Sequence, residues 1–469
     1  MRRIAIIFAV MWAALLLPDV GVFAEQAAKY NVLFIISDDL RTELGCYGSK
    51  LAQTPNIDAL AKYGVRFERA YCQYPLCNPS RSSMLTGRYP ITTGVLGNRV
   101  WFGNDHPDFV SLPKHFKANG YATLRSGKIF HGGIDDTEAW TVGGEPRVFG
   151  NGEPDRRAYA DTVPNLSDRR VVLEGNGEAH RDYWIAARAV ELLGQYKDQP
   201  FFLACGLEKP HTPLEAPQAF YDRYDVTKIE LPPNFAPRPT VPAGFPRLSI
   251  RPRNADLFIG RDASPEEARE TIRAYLASVS WMDWNVGRVL TELDRLRLRE
   301  KTIIVFCGDH GYQLGERGKW SKAGSLFESG ARVPLIIYLP GAAGNGTMSA
   351  RVVQLIDLYP TLCDLAGIPK PPGLEGRSLL PLLHDPNRAW DQPAYTLWSE
   401  DGQTLTGVSV RTDRWRYTEF DGGRGGALMT DPQADPFEMR NRADDQTLAR
   451  ERAALSELVK QHYSRFRPR

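Results

Sequence analysis

The run NVLFIISDD, Asn31–Asp39, decides how this chain folds. Val32 to Ile36 are apolar without a polar break, and three of the five are β-branched. Such a run is a strand buried on both faces, the kind found in parallel sheets covered by helices. Three further runs have the same form: PFFLACGL (200–207), TIIVFCG (302–308) and VPLIIYLP (333–340). Helical patterns lie between them. In TPNIDALAKYG, Thr54 is placed to cap, Pro55 to start, Ile57, Leu60 and Ala61 to form one face, and Gly64 to stop a helix; 183–196 and 274–296 show similar periodicity. The expected architecture is α/β, with a mostly parallel central sheet flanked by helices. Ligands in such folds bind beyond the carboxyl ends of the strands. Asp38 and Asp39 follow the first run directly, Lys209 and His211 the second, and Asp309 and His310 the third, so the chemistry is expected on one rim.

The chain of 469 residues is 42% apolar and 24% charged, which is globular composition and suits a large α/β domain with a smaller one appended. Met1-Arg2-Arg3, an apolar run to Pro18 and the small-residue stretch VFA at 22–24 read as a signal peptide over residues 1–24, which implies a secreted or periplasmic protein. No later stretch is apolar enough for a membrane span, so no stable membrane insertion is expected after cleavage. Cleavage removes two Arg and one Asp, leaving 56 basic against 55 acidic side chains, a balance that argues against nucleic acid as a partner. Six cysteines are too few for a disulfide scaffold, and a bridge such as Cys46–Cys72 cannot be deduced. Residues 25–384 are read as the catalytic domain and 385–469 as a strand-rich subdomain ending in a helix from about Thr447 to Tyr463. The proline-rich 231–253 is expected as a surface loop walling the pocket. Asn165 and Asn345 lie in glycosylation sequons.

Asp38, Asp39 and Asp309 on one rim would repel one another unless a cation held them. Their oxygens favour a hard ion, Ca²⁺ or Mg²⁺, although the neighbouring imidazole also admits zinc. His131, in GKIFHGG, and His211, in EKPHTP, lie in loops bounded by Gly or Pro, where catalytic groups are often carried. The five histidines at 106, 115, 180, 384 and 462 are expected at the surface, and Lys128, Lys209, Lys319 and Lys322 are individually uninformative. In CNPSRSSMLTGR (77–88), Asn78 can cap a helix, Pro79 can begin it, Met84 and Leu85 face inward, and Gly87 can end it. Cys77 and Arg81 are left without a structural purpose.

Cys77-x-Pro79-Ser80-Arg81, followed by Thr86-Gly87-Arg88, resembles the defining motif of the type I sulfatases. The resemblance spans nearly the whole chain after residue 24, through NVLFIISDDLRTELGCYG, TPNIDALA, SGKIFHGG, EKPHTP, GDHGYQLGERGKWSK and VSVRTDRWRYT in order. Within the family it is nearest the iduronate-2-sulfatase branch, since His131 follows Lys128 by three residues rather than two and Asp309 precedes histidine rather than asparagine.

The resemblance implies an alkaline-phosphatase-like fold and a Cys77 converted to formylglycine by a formylglycine-generating enzyme. It implies metal ligation, with Ca²⁺ preferred to Mg²⁺, by Asp38, Asp39, Asp309, His310 and the modified position 77. Arg81 would hold the aldehyde hydrate, Lys128 and Lys322 the sulfate oxygens. His131 would be the base that triggers elimination and His211 the acid for the leaving alcohol, two roles that can be exchanged. One hydroxyl of the hydrate attacks sulfur and deprotonation of the other expels sulfate, a route closed to an ordinary thiol. The substrate class implied is a sulfated saccharide, with a 2-O-sulfated uronic acid first. Another sulfated polysaccharide fragment, and phosphodiester or phosphonate monoester hydrolysis on the same scaffold, are the alternatives.

Overall fold

The computed structural model describes residues 29–150 and 168–464. The expected signal peptide and the Asn165 sequon lie outside these residues. A seven-stranded sheet contains β1 (Asn31–Ser37), β2 (Val65–Tyr71), β3 (Ala122–Gly127), β5 (Phe201–Leu207), β7 (Thr302–Gly308), β8 (Arg332–Tyr338) and β9 (Met348–Gln354). A small parallel pair, β4 (Arg170–Leu173) and β6 (Leu214–Pro217), stands apart from it. The central order is β3-β5-β1-β7-β8-β2-β9. β8 runs against both its neighbours while every other pairing is parallel, so the mostly parallel sheet read from the apolar runs is correct with one reversed strand.

All seven residues of β1, β5 and β7 are buried, because helices cover both faces. One layer packs Leu33, Ile35, Leu203 and Phe306 against α1 (Pro55–Tyr63) and the helices Arg181–Tyr196 and Pro265–Arg295; the other packs Val32, Phe34, Ile36 and Val305 against Met84, Leu85 and Leu362. Each fully buried aliphatic side chain contributes about 2 kcal/mol by leaving water. The long helix begins earlier than its apolar periodicity suggests, since Ser264 and Glu267 form a reciprocal capping box with Pro265 in the first turn.

Beyond the main sheet, β10 (Ala394–Trp398), β11 (Gly407–Arg411), β12 (Arg416–Phe420) and β13 (Ala427–Thr430) form an antiparallel meander, and a last helix spans Ala449–Ser464. Its attachment to the main body includes a buried ion-pair network, in which Glu328 receives Arg411 at 3.0 Å and Arg416 at 2.6 Å. All six cysteines are free thiols, so the Cys46–Cys72 bridge is not formed.

Candidate active site

Register brings the strand exits together. Ser37 lies opposite both Leu207 and Gly308, and Gly127 lies opposite Gly206. Four adjacent parallel strands therefore end level and present Lys128 and His131, Lys209 and His211, Asp38 and Asp39, and Asp309 and His310 along one rim. Gly127 has φ 81°, and a Cβ there would lie 2.2 Å from the Gly206 carbonyl oxygen, so only glycine permits this close exit.

Cys77 reaches the rim from the other side. Helix α2 (Cys77–Thr86) begins two residues before the expected start, with Leu76 as its extended cap residue, and ends at Gly87 with φ 65°. Asn78 does not cap it. The Asn78 amide instead donates to the carbonyls of Gly97 and Val100, fastening α2 to the following loop. One helical turn separates Cys77 from Arg81, so both face the rim. Arg81 Nε donates to Asp309 Oδ2 at 2.9 Å, its Nη2 lies 3.6 Å from Asp38 Oδ2, and its Nη1 donates to the carbonyls of Lys128 and Ile129. Arg81 thus ties three strand exits together.

Around Cys77 Sγ lie Asp38 Oδ1 at 3.4 Å and His310 Nε2 at 3.4 Å. His310 Nε2 is 3.4 Å from Asp309 Oδ2, and its Nδ1 is 3.6 Å from Asp39 Oδ1. Asp39 holds an uncommon φ of 61°, with its carbonyl accepting from the Tyr275 hydroxyl at 2.8 Å. One ligand atom each from Asp38, Cys77, Asp309 and His310 falls within 4.8 Å of the others; Asp38, Asp39, Cys77 and His211 form a second, overlapping group. The donor set fits a divalent cation. Asp39 Oδ1 is buried with no hydrogen-bond donor, although burying carboxylate charge without compensation is costly.

Electrostatics carry the same message. Burial opposes ionisation of Asp38, but Lys128, His211, Arg81 and His310 hold its carboxyl well below the usual range. Burial and the facing Asp38 instead push Asp309 up to about 7. Burial works against a charge on His310, yet Asp309 and Cys77 raise it to about 10. Burial and Asp38 resist a thiolate at Cys77, whereas Lys128, Lys322 and His310 draw the thiol well below its normal value. Four acidic groups and their counterions share one dry space.

The remaining expected residues complete the walls. Lys128 Nζ pairs with Asp38 Oδ2, and Lys322 Nζ lies 3.0 Å from Asp39 Oδ2 and 3.4 Å from Asp256 Oδ1. His211 Nε2 is 3.9 Å from Asp39 Oδ2. Burial lowers the His131 pKa, and its Nδ1 is buried without a partner. The Cys77 sulfur favours the charged form of both imidazoles, against the cost of burial.

Sequence reasoning missed the groups that hold this constellation in place. Asp182 accepts the backbone N–H groups of Glu208 and Lys209 at 2.8 and 2.9 Å, and Glu215 pairs with Lys209 at 2.8 Å and His180 at 3.0 Å. The signal available was position only: Asp182 sits in the first turn of a helix, where an acid is ordinarily a capping aid. Two expected surface histidines are corrected. His180 caps that helix through Nδ1 while pairing with Glu215, and His462 is buried, stacked on Tyr395 at 3.8 Å. The 231–253 loop is at the surface but does not line the cavity. It packs along the segment carrying Lys319, whose Nζ donates to the carbonyls of Arg251 and Arg253.

A cavity of about 260 Å³ opens from this rim, lined by Asp38, Lys128, His131 and His211 together with Arg125, Arg181 and three glutamates. Among the described residues no helix is long and apolar enough to cross a membrane.

Comparison with known proteins agrees with the geometry. Residues 30–368 match the sulfatase family, and residues 315–465 match the C-terminal region of N-sulphoglucosamine sulphohydrolase. The mouse (Mus musculus) iduronate 2-sulfatase is 34% identical over 503 residues, covering 87% of this chain and 89% of the relative. The human (Homo sapiens) iduronate 2-sulfatase is 33% identical, covering 88% and 90%. A phosphonate monoester hydrolase from Silicibacter pomeroyi shares the fold, with TM-score 0.75 at 23% identity over 94% of this chain and 96% of that one. With the family match spanning most of its length and the acid-lined rim built around its Cys-x-Pro-x-Arg turn, this chain belongs to the sulfatases, the sulfuric ester hydrolases of the alkaline-phosphatase-like fold.

Proposed function

We propose that the chain is an exported carbohydrate sulfatase that hydrolyses the 2-O-sulfate of a uronic acid. The observation that carries this reading is the convergence of Cys77, at the start of α2, with three buried carboxylates, His310 and two lysines, next to a cavity of about 260 Å³ that Asp38, Lys128, His131 and His211 help to line. The iduronate 2-sulfatases at 33–34% identity support the choice of sugar. Cys77 lies in the sequence context of formylglycine formation, and its sulfur stands where the aldehyde-derived oxygen would be.

Asp38, Asp39, Asp309, His310 and position 77 would hold a divalent cation, and the predominance of carboxylate oxygens favours Ca²⁺. Such an ion supplies Lewis-acid neutralisation of the sulfate and lowers the pKa of a bound hydroxyl. The chain's own residues account for the rest. Lys128 and Lys322 bring ammonium charge to the sulfate oxygens, in a dry site where it acts strongly. Arg81 fixes the strand exits against one another and adds charge beneath position 77. His131 accepts the proton from position 77, and His211 donates one to the departing sugar oxygen, so water and the sulfate ester yield an alcohol and sulfate.

Mass analysis of the tryptic peptide Ala70–Arg81 tests the reading. Cys72 is expected to alkylate, while position 77 resists alkylation and reacts with a hydrazide. Alkylation of both residues in protein from its native host, or a clear preference for phosphodiesters over aryl sulfates, would overturn it.

A further inference from the structure

We propose that Arg125 reads a carboxylate on the substrate's sugar ring and so sets the preference for uronic acids; this deepens the function above and rests on it. Three cations besides Lys128 line the cavity: Arg125, Lys209 and Arg181. Lys209 is spent. Its ammonium donates to the carbonyls of His211 and Pro213 at 3.0 and 2.7 Å and pairs with Glu215 at 2.8 Å, which uses all three of its protons. Arg181 pairs with Glu208, but its side chain is 68% exposed, where water screens any ligand contact.

Arg125 differs from both. It sits on β3 three residues before Lys128, and its side chain is only 6% exposed although it borders the cavity. Its Nε is buried without a hydrogen-bond partner, with Asp135 Oδ2 3.8 Å away. Nη1 is held by the Gly143 carbonyl at 2.9 Å and by Glu145 Oε1 at 2.8 Å. Glu145 also lines the cavity and its side chain is 46% exposed, so it can swing into water when another carboxylate approaches. The segment bearing it is laid against β3 by the Arg125 N–H to Val142 O bond and by Gly143 (φ 91°), where a Cβ would lie 2.3 Å from the Arg125 carbonyl oxygen. The result is a preorganised, buried guanidinium on the strand that leads to Lys128, with a fixed carboxylate partner in buried Asp135 and a replaceable one in Glu145. Guanidinium matches carboxylate as a fork, which an ammonium cannot do.

The test is sulfate release from three substrates by the mature enzyme: an aryl 2-O-sulfo-hexopyranosiduronate, the matching hexopyranoside with CH₂OH in place of the carboxylate, and a simple aryl sulfate. The wild type is expected to favour the uronide over the hexoside by at least about 10-fold in kcat/KM. Arg125→Gln should erase that ratio through a loss of about 10- to 100-fold on the uronide, leaving the aryl sulfate within about 3-fold. Arg125→Lys should recover only part of it, and Glu145→Gln should keep or sharpen it. An equal loss on all three substrates, or an Arg125→Gln effect reproduced by Glu145→Gln, would make Arg125 a structural brace and overturn the proposal. Turnover of aryl sulfate without preference for the uronide also sinks it while leaving the sulfatase reading intact. Failure on aryl sulfate by protein carrying the modified position 77 sinks the reading itself.

Discussion

Replacing Asp182 by alanine should separate the support of the His211 loop from the chemistry it carries. The Asp182 carboxylate is fully buried and is the acceptor for two backbone N–H groups, those of Glu208 and Lys209, at the exit of β5. Alanine leaves both donors without a partner, at about 1–3 kcal/mol each, so the expected destabilisation is about 2–6 kcal/mol. For a chain of this length the unfolding entropy is about 1 kcal/mol per kelvin, which puts the fall in melting temperature at about 2–6 °C. Asp182→Asn keeps one acceptor and should lose about half as much. The kinetic consequence is selective, because the loosened segment carries His211, assigned as the acid. Sugar sulfates, whose alcohol leaves poorly without a proton, should lose about 10- to 100-fold in kcat, whereas a nitrophenyl sulfate should lose little. Differential scanning fluorimetry and paired rate measurements check both parts. A melting temperature within 1 °C of wild type, or equal losses on the two substrates, would refute the reasoning.

His211→Ala should cost about 100- to 1,000-fold on a sugar sulfate and less than about 10-fold on nitrophenyl sulfate, and the reverse pattern for His131→Ala would show the two roles exchanged. Chelation should lower the melting temperature by about 3 °C if the ion was present at about 100 times its dissociation constant, and added Ca²⁺ should restore it, as thermal scans with and without EDTA would show. Asp357, pushed to about 7 by burial although the backbone N–H groups of Arg377 and Gln354 point at it, supplies a pH test. Its folded pKa lies above the unfolded value, so its contribution is complete below about pH 4 and is lost as the pH rises through 7. Wild type should therefore lose stability relative to Asp357→Asn between pH 5 and 7.5, and a gap in melting temperature unchanged across that range would contradict it.

Much of the site was legible because it lies where sequence is local. Asp38 and Asp309 adjoin apolar runs that can only be buried strands, and Cys77 and Arg81 are one helical turn apart, so their shared direction follows from helix geometry. Helix α2 starts two residues earlier than Asn78 and Pro79 suggest because Asn78 has two suitable uses, capping its own helix or fastening a distant loop, and the choice depends on the carbonyls of Gly97 and Val100, which only the fold brings to it. His180 and His462 were misread for a related reason. Each sits in a polar stretch, yet Glu215 and Tyr395 come to them from elsewhere in the chain.

The amino-acid order alone determined the run of buried strands, their polar exits and the motif that starts α2, since periodicity and turn chemistry are properties of neighbours. Tertiary structure alone decided that β8 runs backwards, that strand register levels four exits into one rim, and that Arg125 rather than Lys209 or Arg181 keeps a dry, partly unpartnered guanidinium at the cavity wall. Burial and charge pairing are sums over residues far apart in sequence, and those sums have no value until the chain has closed around them.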